Sequence, residues 1–448
     1  MLRKVGLSLA ALLICAALAG CNTGAGDPPD ETTLAVCRED ALRLVQDLGG
    51  ENFESAAQNH TYTPLMKRSA GSAALEQIWR SLTDQYGAFR EAYRTDSVLH
   101  SGNQHSVIVG IAFDAQCIDL KVTYDGKTIS GLHYSVNSDD PAAPTEQFLS
   151  AYPTREITFG EVGWELTGTL TLPDGSGGPW PVVVIVHGSG PSDRDGRVMR
   201  QTPYRDIAEG LAARGVATFR YDKRTHVYAD RMTGDITVWE ETIRDAAAAA
   251  VMLRSEAECS RLVMIGHSLG ATLLPRIAGD ACADGYIALA AAATPLHRLM
   301  VRQYEYLFGL DGALDSQEEA ALARVRAMAD NVDALEQGRT FETADLFGIP
   351  ASYWLDLSQY DTVQEMATLN APLLMLQGEG DYQVPPAEFE RFRAALSGRT
   401  DVAFVSYPGL SHLFTQAGDP PSPDDYAREG SFDGRALDDI AAWIASLR

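Results

Sequence analysis

Short apolar runs recur at residues 181–186, 216–221, 262–265, 286–291, 373–376 and 402–407, with amphipathic stretches of helical length between them. Strands that lack polar alternation must be covered on both faces, and helices lying between successive strands supply that cover. The pattern predicts an α/β domain over 149–448 with a mostly parallel sheet. Strands at 156–159 and 164–172 precede the alternation, and helices are expected at 204–213, 237–253, 269–279, 386–396 and 436–447. Between about 295 and 370 the alternation stops and helical sequence such as 317–337 intervenes, which predicts a helical cap inserted over the active edge of the sheet.

The sequence before this domain is patterned differently. Residues 34–48 and 65–86 show apolar spacing of three and four, and strand-like stretches follow near 93–99, 105–113, 118–124 and 128–133. Asp125-Gly126 between the last two is a hairpin signal. Helices followed by an antiparallel sheet predict a small α+β domain over 34–136, bounded by the Asp- and Pro-rich segment 137–145. Earlier still, Arg3 and Lys4 precede an apolar run that ends in Leu18-Ala19-Gly20-Cys21. That arrangement predicts a signal peptide over 1–20 and resembles the lipobox of bacterial lipoproteins, with Cys21 carrying the lipid. Residues 21–33 then read as a flexible tether, and the chain as exported and anchored at the bacterial cell envelope.

Composition narrows the function. With 45% hydrophobic and 22% charged residues the chain is globular, and its formal charge of −25 disfavours nucleic acid as a partner. Cys37, Cys117, Cys259 and Cys282 remain after the signal and the lipid site, an even number that suggests two disulfides. Cys259 stands before the strand 262–265 and Cys282 beyond the helix after it; both should arrive at the edge of the sheet opposite the chemistry. Cys37 and Cys117 are then expected to pair by exclusion. Neither CxxC nor HExxH spacing occurs, and no metal or cofactor is implied.

The chemistry centres on Gly266-His267-Ser268-Leu269-Gly270, which follows one apolar run and opens a helix. A sharp strand-to-helix turn presents the Ser hydroxyl, and the flanking glycines remove side chains that would clash. A Ser hydroxyl needs an adjacent base oriented by a third group, and in this arrangement chain order runs Ser, acid, His. Only His297 and His412 follow Ser268; His297 sits at the mouth of the cap, whereas His412 follows the last strand, so His412 is the base. Asp381, just after strand 373–376, is the acid, with Glu379 as the alternative. An oxyanion requires two backbone donors, expected from Leu269 and from Ser189 in His187-Gly188-Ser189-Gly190, with Gly190 as the alternative to Ser189. His187 itself orients that loop.

Taken together, His187-Gly-Ser-Gly-Pro-Ser-Asp-Arg194, Phe219-Arg-Tyr-Asp-Lys-Arg-Thr225, Gly266–Gly270 and Gly378-Glu-Gly-Asp-Tyr-Gln-Val-Pro385 resemble bacterial secreted α/β-hydrolase carboxylesterases over residues 150–448. More distantly the chain is similar to serine aminopeptidases and to dienelactone hydrolases, although the latter generally carry Cys where this sequence has Ser268. The resemblance implies hydrolysis of short- to medium-chain acyl esters without a cofactor. Two rival readings are a serine exopeptidase, which needs a cap acid such as Glu305, Glu318, Glu319, Asp345 or Asp356 facing the pocket, and a non-catalytic tethered binding protein. Tyr221-Asp222-Lys223-Arg224 would either bind a polar substrate group or hold loops by ion pairs. Tyr353 and Trp354 would either line an acyl pocket or form the core of the cap.

Overall fold

The computed structural model describes residues 31–99, 104–137, 150–174, 178–229, 231–232 and 234–447. The signal-like segment, Cys21, the tether up to residue 30 and the segment 138–149 lie outside the described residues. The chain divides into two compact units at Gln147/Phe148.

In the first unit, helices Glu31–Gly49, Phe53–Gln58, Pro64–Ser69 and Ser72–Tyr86 precede four strands: β1 (Phe89–Leu99), β2 (Gln104–Phe113), β3 (Cys117–Asp125) and β4 (Thr128–Asn137). The strands form an antiparallel sheet in chain order. Two details depart from the sequence reading. Glu31–Thr33, expected as tether, are the first turn of a helix. The stretch expected as one helix over 65–86 is split at Ala70-Gly71, where Gly71 takes an extended conformation and starts the second helix. Alternate β2 and β3 side chains (Val107, Val109, Ile111; Ile118, Leu120, Val122) are buried, and Trp79 and Tyr86 pack against Phe113 at the end of β2. Tyr124 Oη donates to Asp40 Oδ2 at 3.1 Å, and Asp40 Oδ1 pairs with His60 Nδ1 at 2.9 Å, which ties the first helix to the sheet.

The second unit holds β5 (Thr154–Phe159), β6 (Leu166–Thr171), β7 (Trp180–Val186), β8 (Ala217–Tyr221), β9 (Cys259–His267), β10 (Gly285–Leu289), β11 (Leu373–Gly378) and β12 (Val402–Tyr407). They form one sheet in the order β5-β6-β8-β7-β9-β10-β11-β12, antiparallel among β5, β6 and β8 and parallel from β8 to β12. This is the α/β-hydrolase fold. The chain leaves β7 outward to β8 and returns to β9 on the other side, and in such sheets ligands bind beyond the carboxyl ends of the strands at that reversal. Register brings those ends level: Val186 faces Gly266, His267 faces Leu289, and Gly378 faces Tyr407. The loops that follow therefore open at one edge. Val183, Ile185, Val263, Ile265, Ile287 and Leu374 form the core behind them, packed against helices Pro203–Ala212 and Gly434–Ser446. Helices Leu296–Phe308, Ser316–Leu335, Ala351–Ser358 and Thr362–Thr368 fill the interval expected to form a cap. The helix after Ser268 is broken at Leu273 into Leu269–Thr272 and Leu274–Ala281, because Pro275 has no N–H to give the preceding turn.

All four described cysteines are free thiols, which corrects the expected disulfides. Cys37 Sγ lies 3.6 Å from the carbonyl of Gly126, at the far end of β3 from Cys117. The strand between spans about 26 Å at roughly 3.3 Å per residue, far beyond disulfide reach. At the other pair, Arg254 closes the junction instead: it pairs with Asp284 at 2.7 Å and donates to the Cys282 carbonyl at 2.9 Å.

Candidate active site

Ser268 sits between β9 and helix Leu269–Thr272 with φ 55° and ψ −118°, a left-handed conformation that costs a non-glycine residue on the order of 1–3 kcal/mol. Its surroundings hold it there. Ser268 N–H donates to the Leu289 carbonyl of β10 at 2.9 Å. A Cβ on Gly266 would stand 2.5 Å from the Gly270 carbonyl, and one on Gly270 would stand 2.5 Å from the Val186 and His187 carbonyls. Both glycines of the motif are thus required by backbone contact. The bend leaves the Ser268 side chain half-buried and the Leu269 amide at the first position of the helix, where no intrahelical acceptor exists.

Asp381 and His412 meet at the same edge. His412 Nδ1 lies 2.7 Å from Asp381 Oδ2, with both side chains buried. Asp381 Oδ1 accepts the N–H groups of Gln383 and Val384 at 2.8 and 2.9 Å, and Gln377 Nε2 approaches Oδ2 at 3.3 Å. Four donors therefore fix the carboxylate. The His412 loop lies directly on the acid turn: a Cβ on Gly378 would meet the Leu410 carbonyl at 2.4 Å, and Gly380 N–H donates to that carbonyl at 2.8 Å. Glu379, the alternative acid, is exposed and accepts from Ser406 Oγ at 2.8 Å, away from His412. His297 is engaged with Asp333 at 2.7 Å within the cap.

His267, beside the serine, links three loops. Its Nε2 lies 2.9 Å from the His412 carbonyl and its Nδ1 lies 3.0 Å from Tyr204 Oη, which in turn accepts the Gly188 N–H at 3.3 Å. A carbonyl can only accept, so Nε2 carries the proton and Nδ1 accepts from Tyr204. The rings of His267 and His412 are 4.7 Å apart. Burial, reinforced by His412, pushes His267 down to about 3, so it stays neutral. His187 is likewise pushed down to about 3 by burial and by Lys223, and it packs edge-on against Tyr204 and Tyr221.

In the 187–190 turn the Gly190 N–H, read from sequence as the alternative oxyanion donor, is taken by Glu241 Oε1 at 3.1 Å. Among the described residues Ser189 N–H has no protein acceptor. The 221–224 cluster holds loops: Asp222 pairs with Arg194, Lys223 with Glu241 and Arg224 with Asp245. Glu241 went unread in the sequence because its partners lie on other elements and its neighbours form an ordinary helical pattern.

A pocket opens beside Ser268, lined by Leu269, Pro295, Leu299, Leu357 and Thr362 among others. The segment leading from β10 into the cap is pinned by buried Glu388, which accepts the N–H groups of Ala293 and Thr294 at 3.0 and 2.6 Å. Trp354 lies in the cap core with its Nε1 donating to the Leu346 carbonyl at 2.9 Å, and Leu357, on the same helix, reaches the pocket. Among the described residues no group of three or more His, Cys, Asp or Glu could hold a metal ion.

The sequence profile of the family described as serine aminopeptidase, S33, matches residues 179–417, from β7 through the His412 loop. The chain belongs to this family. The esterase EstD of Thermotoga maritima is 32% identical over 409 residues, covering 91% of this chain and 95% of that protein. Two solved structures are more remote. Est1E from Butyrivibrio proteoclasticus is 17% identical with a TM-score of 0.41, covering 65% of this chain and 99% of its own. A puromycin-hydrolysing peptidase of Mycobacterium tuberculosis is 18% identical with a TM-score of 0.42, covering 77% and 46%.

Proposed function

We propose that this member of the S33 family is a serine carboxylesterase acting on short- to medium-chain acyl esters, with Ser268 as nucleophile, His412 as base and acid, and Asp381 as orienter. The observation that carries the reading is the buried Asp381–His412 pair, set at the same sheet edge as a serine held at positive φ after β9, whose preceding residue His267 lies 4.7 Å ring to ring from His412. His412 takes the Ser268 proton as Oγ attacks the ester carbonyl, and the N–H groups of Leu269 and Ser189 receive the oxyanion. Collapse expels the alcohol, protonated by His412, and leaves an acyl-Ser268. Water, deprotonated by His412, then releases the carboxylic acid and restores the serine.

Exopeptidase action would require a carboxylate to hold the substrate's free amine. No acid lines the described pocket. Glu305 pairs with Arg326 and Asp356 with Arg276, Glu318 caps its own helix, and Glu319 and Asp345 are exposed. A panel of p-nitrophenyl esters and aminoacyl p-nitroanilides tests the assignment. Esters are expected to be turned over and anilides left intact; efficient anilide cleavage would overturn it.

Export and lipidation at Cys21 belong to the same proposal, on the strength of the Leu18-Ala19-Gly20-Cys21 sequence. Radiolabelled fatty acid should enter the protein and be lost in Cys21→Ser; label retained in that variant would refute the site.

A further inference from the structure

We propose that Lys223 is a positioning residue for the oxyanion site: with Glu241 it grips the back of the 187–190 turn and so directs the Ser189 N–H toward Ser268. The inference rests on the assignment of Ser268 as nucleophile and Ser189 as donor made above.

An ammonium has three N–H donors, and here each has an acceptor. Lys223 Nζ donates to the Gly188 carbonyl at 2.7 Å, the Gly190 carbonyl at 3.0 Å and Glu241 Oε1 at 2.6 Å. The same Oε1 accepts the Gly190 N–H, and Oε2 accepts Tyr353 Oη of the cap at 2.6 Å. Lys223 and Glu241 are 1% and 5% exposed, so solvent does not share these bonds. The Gly188–Ser189 peptide is planar and trans, and its C=O and N–H therefore point in opposite directions. Anchoring the Gly188 oxygen on Lys223 aims the Ser189 N–H away from Lys223. The nucleophile lies against the same turn, since a Cβ on Gly188 would stand 3.3 Å from Ser268 Cβ. Gly190, at φ 77°, supplies the reversal that brings its own carbonyl back to the ammonium.

Two further features fit a positioning role. Glu241 lies in a single π-helical turn, Trp239–Ile243, at the head of helix Arg244–Arg254, and such turns concentrate at functional sites. Buried ion pairs are rarely better for stability than apolar residues of the same volume, so stability alone does not account for this one. The adjacent buried pair Arg224–Asp245 makes no hydrogen bond to the turn and provides an internal control.

The test compares two charge-removing doubles, Lys223→Met/Glu241→Gln and Arg224→Met/Asp245→Leu, by thermal melting, by kcat and KM for p-nitrophenyl acetate, and by Ki for a trifluoromethyl ketone. The ketone forms a tetrahedral adduct whose oxygen needs the oxyanion donors. Loss of one such donor costs on the order of 10²–10³ in kcat. The Lys223 double is expected to lose about that factor in kcat per folded molecule and a parallel factor in ketone affinity, with KM within about twofold. The Arg224 double is expected to lose stability while keeping both constants. Unchanged kcat in the folded Lys223 double, or equal losses in the two doubles, would overturn the proposal. If the Lys223 double does not fold, Tyr353→Phe, which frees Glu241 Oε2 without changing charge, is expected to lower kcat and ketone affinity together by several-fold; no change in either would likewise overturn it. Ser268→Ala separates the two levels: residual turnover there refutes the triad assignment, whereas a dead Ser268→Ala beside an active Lys223 double refutes only the clamp.

Discussion

The two units spend their buried polar groups differently. Among the described residues every buried Lys, Arg, Asp and Glu belongs to the second unit: Arg220, Lys223, Arg224, Glu241, Asp245, Asp381, Glu388 and Asp425. Among its described side chains the first unit buries His60, His105, Ser106 and Gln116 but none with a permanent charge. Burying a charge is costly unless it is paired and hydrogen-bonded. In the first unit, polar contacts such as Asp40–His60 and Asp40–Tyr124 join one layer to the next. In the second, several charged groups stand where parallel strands end together and helices begin, and they hold loops instead of layers. Buried charge therefore marks where this protein fixes backbone with precision, and it marks the hydrolase unit.

The widest separation between the units should appear in turnover. Asp381→Asn is expected to lower kcat for p-nitrophenyl acetate by about 10⁴. Glu379→Gln, which alters an exposed carboxylate bonded only to Ser406, should leave kcat within about twofold, and His60→Ala in the first unit should leave it unchanged. A crippled Glu379→Gln with a mild Asp381→Asn would reassign the acid.

Stability gives the next contrast. Asp245→Asn leaves the Arg224 guanidinium, 1% exposed, without its counter-charge, and breaking such a buried pair costs about 3–5 kcal/mol. His60→Ala removes the hydrogen bond to Asp40 and should cost about 1–3 kcal/mol. Urea unfolding of the two variants checks the order; a larger loss at His60 would break the distinction.

Acid should act on the second unit through His187 and His267. Both are held near 3 in the folded state against an ordinary value of 6.5, so the unfolded chain takes up their protons first. Their contribution to stability is complete above pH 6.5 and is lost as pH falls toward 3. In His187→Gln the slope of unfolding free energy against pH across this window should fall by up to about one proton. An unchanged slope would show that His187 titrates alike in both states.

The smallest effect concerns the pocket. Leu357→Ala should shift preference toward longer acyl chains by about tenfold or less, whereas Trp354→Ala should lower activity evenly through loss of cap packing. Equal profiles in the two variants would remove Leu357 from the acyl site.

Much of the second unit was legible because continuous apolar runs, Gly266–Gly270 and the order Ser268, Asp381, His412 are local or ordinal signals. Parallel strands must be buried on both faces, so their sequences could hardly read otherwise. What was not legible depends on which residues packing brings together. Lys223 and Glu241 meet only after a helix has been laid over the sheet. Trp354 and Leu357 lie one turn apart on one short helix, and spacing alone does not say which of them meets the pocket. The expected Cys37–Cys117 bridge failed for a plainer reason: the first helix sets Cys37 against Gly126, and the whole length of β3 separates that end from Cys117.

The central claim is that Ser268, strained at the end of β9 beside the Asp381–His412 pair, is the group that carries the acyl chain. Its most direct test is to titrate the protein with a fluorophosphonate, follow p-nitrophenyl acetate turnover, and locate the adduct by peptide mass spectrometry. The account predicts one phosphonyl group per chain, on Ser268, with activity falling in proportion to its occupancy and no labelling of Ser268→Ala. Labelling at another residue, or full turnover with Ser268 occupied, would contradict it.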